Sequence, residues 1–145
     1  MNPNPYQPPG DYRPAGAGVA TVNRTPFVLA AVGAWLAGAY WAAITLLLTF
    51  GVATGSVSAA QIILPCILIA LYAMRGYQLF QGDPAAARRI LWLHGVGGVA
   101  AIVYMMSGGA GVVVLNGIKV LIHIFGGITA VMAQRAFKAG QVPRA

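Results

Sequence analysis

Residues 27–50 read FVLAAVGAWLAGAYWAAITLLLTF, twenty-four positions without a charged side chain. A helix of that length reaches ~36 Å, more than the ~30 Å hydrocarbon core of a bilayer. Similar segments follow at 57–80 (VSAAQIILPCILIALYAMRGYQLF), at 84–107 (with the apolar stretch ILWLHGVGGVAAIVYMMS) and at 111–138 (GVVVLNGIKVLIHIFGGITAVMAQRAFK). Lipid offers no partner to backbone N–H and C=O groups, so each segment must satisfy its own by coiling into a helix. The expected fold class is all-α. It is an integral membrane four-helix transmembrane bundle with spans 27–50, 57–80, 84–107 and 111–138 inside a domain 26–140.

Composition closes off the soluble alternative. The chain is 59% apolar and 8% charged, with a mean hydropathy of +0.74. Soluble domains carry roughly 25% charged residues. The net charge of +7 comes from nine basic residues and two aspartates. The basic residues sit at segment edges and form no patch, so a nucleic-acid partner is excluded and the bilayer is the expected one.

The connections carry matching turn chemistry. Between the second and third segments stands Gln-Gly-Asp-Pro, residues 81–84. Gly82 suits a left-handed helix cap, Asp83 an N-cap and Pro84 a first helical turn. The other two connections, GVATGS (51–56) and 108–110, carry no charge. Arg13, Arg24, Arg75, Arg88, Arg89, Arg135, Lys138 and Arg144 then all fall on one side. By the positive-inside rule, both termini and the middle turn are expected in the cytoplasm, and the setting is a bacterial inner membrane. Residues 1–25, with five prolines among the first fourteen, predict a disordered tail and not a secretory leader. Residues 141–145 form a short C-terminal tail.

Helices in lipid associate through small residues. Ala30, Ala34, Ala37, Gly38 and Ala42 form one such strip, Gly97, Gly98 and Ala101 a second, and Gly126, Gly127 and Ala130 a third. They serve the bundle itself or a homo-oligomer equally well. Pro65 is expected to kink its helix, Cys66 to act as a small packed hydrophobe, and Trp92 to mark the interface near Arg88 and Arg89.

The fourth segment holds the most unusual chemistry. On a helical wheel Asn116, Lys119, His123, Gly127, Ala130 and Gln134 lie within an arc of about 80°. This polar and small face is expected to turn away from lipid. Lys119 has no carboxylate at its depth, since Asp11 and Asp83 are both assigned to the other side. Three readings are open for it: a side chain running to the outer interface, an acidic group on a partner membrane protein, or an anion or lipid phosphate. His94, Tyr40, Thr45 and Tyr104 are candidates for additional polar lining. His94 and His123 also raise a haem, held by two imidazoles. Counted inward from Arg89 and Arg135, however, their depths differ by roughly 10 Å, which argues against one haem between them.

No carboxylate pair, metal-ligand spacing or catalytic motif is present, so the expectation is a protein without enzymatic chemistry. The leading expectation is an accessory, scaffold or oligomer-forming component acting through helix contacts. The alternatives are permeation of an anion or small polar solute along the Asn116–Gln134 face, and a haem-binding redox protein.

Overall fold

The computed structural model describes residues 23–139. The expected tails therefore lie outside the described residues, apart from positions 23–25. Four helices follow one another: α1 (Thr25–Ala53), α2 (Ile63–Phe80), α3 (Pro84–Ser107) and α4 (Ala110–Lys138). All four are long and apolar enough to cross a membrane, counting with α2 the short 3₁₀ turn Ala59–Ile62 that leads into it. Over the described residues the fold is all-helical, that of a multi-pass membrane protein.

The spans 84–107 and 111–138 agree with the helices to within a residue, and α1 is longer than expected at both ends. The second span differs. Its first part is the 3₁₀ turn, and Pro65 sits in the first turn of α2. A proline there removes an N–H that has no intrahelical acceptor anyway, so the chain starts a helix at this point and does not kink one. Buried Pro65 takes the inward position, and its neighbour Cys66 is exposed, not packed as expected.

The middle turn folds as its residues require. The Gly82 N–H donates to Leu79 O at 2.8 Å and the Asp83 N–H to Gln78 O at 2.9 Å, closing α2 in a Schellman motif. Gly82 has φ +90°, a conformation that costs any residue with a Cβ. Asp83 Oδ1 accepts the Ala85 N–H at 2.8 Å and so caps α3.

Helix α1 packs against α2 and α4, α3 packs against α4, and α2 touches α3 more sparsely. The core is not spread evenly along the bundle. Phe27, Ala30, Ala31 and Ala34 of α1, Leu79 of α2, Ala86, Ala87 and Ile90 of α3, and Ala130, Ala133 and Ala136 of α4 are all buried. These positions lie toward the end that carries Arg24, Arg88, Arg89, Arg135 and Lys138, here called the basic end. Toward the opposite, uncharged end the fully buried residues are few, among them Gly51, Pro65 and Ala101. Small side chains at the basic end let backbones approach, whereas toward the uncharged end the large residues Leu46, Leu47, Ile63, Val103 and Val114 face outward and add nothing to the core.

Candidate functional site

At the boundary between the packed half and the open half, the interior becomes polar. Among the described residues, His94, Lys119, His123 and Thr129 are the buried polar ones, with His94 2%, Lys119 7% and His123 4% exposed. The two imidazoles meet: His94 Nδ1 lies 3.0 Å from His123 Nδ1, with ring centroids 5.3 Å apart. One of these nitrogens must carry the proton and the other must accept it. Whichever way the pair is arranged, one Nε2 keeps an N–H and the other keeps a lone pair. Both Nε2 atoms are buried without a hydrogen-bond partner.

The expected depth mismatch is thus wrong, and the reason is geometric. Arg89 and Arg135 do not mark the same plane. The tight turn at Gly108–Gly109 does, because it sets the register of two antiparallel helices. His94 stands fourteen residues before Gly108, and His123 fourteen after Gly109.

A reciprocal glycine notch holds the pair. A Cβ added at Gly97 would lie 2.5 Å from His123 Nε2, and one at Gly126 would run into the His94 ring. Each helix carries His-x-x-Gly, His94–Gly97 on α3 and His123–Gly126 on α4. Residues three apart share a helix face. With the helices antiparallel, each ring enters the notch of the other helix. That repeat was the sequence signal for the site. At the same level a Cβ on Gly33 of α1 would come within 2.8 Å of Gly126 Cα, so α1 closes on α4 here too.

Two aromatic residues complete the cluster, and neither stands out in the sequence. Tyr72 of α2 is 1% exposed. Its ring centroid lies 5.4 Å from that of His94, and its hydroxyl donates to Leu93 O at 3.3 Å. Trp41 of α1 lies under Lys119, whose Nζ is 4.5 Å from the ring centroid. The side chain does not run to the outer surface. It stays inside, against an aromatic face.

The other expected site residues divide. Gln134 Nε2 donates to Ala87 O at 3.2 Å and ties α4 to α3 near the basic end. Asn116 is half-buried, and its amide donates to Val112 O of its own helix at 2.9 Å. Tyr40 packs edge-on against Trp41 with centroids 5.8 Å apart, and Thr45 bonds back to Trp41 O. Tyr104 is 62% exposed and takes no part. Gly38 backs Tyr72, Gly98 backs the His123 Cβ, and Gly127 faces Leu91. Outside the pair, Gly95, Gly98 and Gly127 floor a mainly apolar groove of about 400 Å³ along the α3–α4 seam.

A haem between these two histidines would need free nitrogens facing one another across its iron. Here the facing nitrogens are bonded to each other and the remaining two point at glycines, so this packing does not fit the group. Among the described residues, no three His, Cys, Asp or Glu side chains gather as a metal site. No family model, curated protein or solved structure matches the chain.

Proposed function

We propose that this protein is a non-enzymatic membrane component through which a small anion permeates along the interior face of α4, with the His94–His123 pair as its constriction. The observation that carries the reading is the direction of that face. Lys119 and His123 point into their own bundle, where they are 7% and 4% exposed, and α3 adds His94. A face kept for a partner protein would instead be open.

The chemistry of the face supports an anion. Lys119 brings N–H donors only. Among the described residues the only carboxylate, Asp83, is committed to capping α3 at the basic end. A mid-membrane lysine costs about 3 kcal/mol, and the Trp41 face returns only ~0.5–2 kcal/mol. The shortfall is what an anion beside Nζ would offset, as in anion pores lined by basic side chains. Below His123 the small-residue core is shut, so passage requires the α3–α4 seam to loosen.

Proteoliposomes loaded with a halide-sensitive dye test this. Anion flux above that of empty vesicles is expected, falling at least tenfold in Lys119→Met and in His123→Leu. Flux equal to empty vesicles, or unchanged in both variants, refutes the reading.

A second reading, an accessory or scaffold component or a homo-oligomer, draws on the exposed apolar side chains near the uncharged end, among them Leu46, Leu47 and Val114. Co-purification in mild detergent tests it, and a strictly monomeric protein without companions counts against it. For either reading the proposed setting is a bacterial inner membrane with both termini cytoplasmic, which a reporter fused to the C-terminus would check.

A further inference from the structure

At the basic end, the seam between α3 and α4 opens into a cavity of about 390 Å³ lined by Arg88, Arg89, Gln134, Phe137 and Lys138, among others. The cavity shares no lining residue with the imidazole cluster, whose His94 and His123 border the apolar groove further along the seam. Three cations from two helices converge on it, and no carboxylate is among its lining residues. Asp83, the nearest in sequence, is held on the Ala85 N–H. Gln134 is also fixed, by its bond to Ala87 O. Among the described residues, three cations thus face at most one carboxylate, Asp83, which stands just before the lining residues Pro84 and Ala85 and caps α3 through one oxygen.

The level of the cavity matters as much as its charge. Lys138 is the last residue of α4, and Arg88 lies one turn inside α3. Trp92, one turn further along, is 72% exposed, as a side chain anchored at a lipid headgroup boundary is. Beyond that boundary the seam continues as the apolar groove. Arg88 is followed by the groove residues Leu91, Gly95 and Ile102 at helical spacing, three, seven and fourteen positions on. One stripe of α3 therefore runs from a basic head to a glycine-floored apolar trough. Its fourteen residues span ~21 Å, enough for an acyl chain crossing one ~15 Å leaflet.

We propose that this stripe binds one anionic phospholipid, its phosphate between Arg88, Arg89 and Lys138 and an acyl chain along Leu91, Gly95 and Ile102. Basic pockets between transmembrane helices take such headgroups, and arginine forms paired hydrogen bonds with phosphate. A free phosphate shares the head chemistry but leaves the trough unused.

The test uses the full chain purified in a neutral detergent. Native mass spectrometry and thermal unfolding are read after adding phosphatidylglycerol, phosphatidylcholine or inorganic phosphate. Phosphatidylglycerol is expected to remain bound and raise the melting temperature, with neither of the others matching it. Arg88→Gln and Lys138→Gln should each weaken retention about fivefold. Gly95→Leu, which fills the trough without touching a cation, should weaken retention as well, and Arg89→Lys should preserve it. Equal stabilisation by phosphatidylcholine overturns the proposal. So does equal stabilisation by inorganic phosphate, which would make this a free-anion site. Unchanged retention in Arg88→Gln, Lys138→Gln and Gly95→Leu, each with wild-type elution volume and helicity, overturns the placement.

Discussion

Replacing Gly97 by alanine adds one methyl group at the place where the structure has least room for it. That methyl would sit 2.5 Å from His123 Nε2 and 2.6 Å from Cε1, well inside van der Waals contact. The imidazole cannot simply swing away, because its Nδ1 is held 3.0 Å from His94 and Tyr72 packs behind the pair. Overpacking of this kind costs about 1–3 kcal/mol. Alanine is the better helix former by ~1 kcal/mol, which offsets part of it. The net expectation is a loss of about 0–2 kcal/mol, measured as a shift in reversible unfolding from mixed micelles by increasing SDS. Gly95→Ala is the internal standard, since nothing lies within 4 Å of its added Cβ. It should be neutral or stabilising by up to ~1 kcal/mol. Removing the clashing ring should restore room, so Gly97→Ala with His123→Ala should show a favourable coupling of ~1–2 kcal/mol relative to the two single variants. If Gly97→Ala unfolds with or after Gly95→Ala, the reciprocal notch is wrong.

Lys119→Met keeps the length of the side chain and removes its charge. It should stabilise the folded protein by about 1–2 kcal/mol in the same SDS titration, because the insertion cost exceeds the contact with Trp41. A destabilised Lys119→Met would mean that Nζ has a strong partner inside the bundle. Asp83→Ala removes the acceptor for the Ala85 N–H and should cost ~1 kcal/mol, with amide exchange rising in the first turn of α3. Unchanged exchange there would show that the cap carries no weight.

Much of the fold was legible because one force sets it. Twenty-odd apolar residues in lipid must form a helix, and Gly82, Asp83 and Pro84 fix where one helix stops and the next begins. α3 and the fourth span were accordingly placed to within a residue. Pro65 misled because a proline looks alike in a helix interior and in a first turn. Only the preceding 3₁₀ turn tells them apart. Within the site, the inward turn of Lys119, His123 and Gln134 followed from helical periodicity alone. Tyr104 was wrongly grouped with them, since its position on α3 faces outward.

The amino-acid sequence alone determined that this chain is helical and membrane-spanning, where its second and third turns fall, and which face of α4 avoids lipid. These depend on local spacing and on transfer between water and lipid. Tertiary structure alone decided that His94 meets His123, that Lys119 rests on Trp41, and that Tyr72 closes the cluster. Such contacts depend on the register and separation of helices distant in sequence. The Gly108–Gly109 turn sets the register of α3 and α4, and separation is set by how closely backbones approach at Gly33, Gly97 and Gly126, a distance of which hydropathy carries no record.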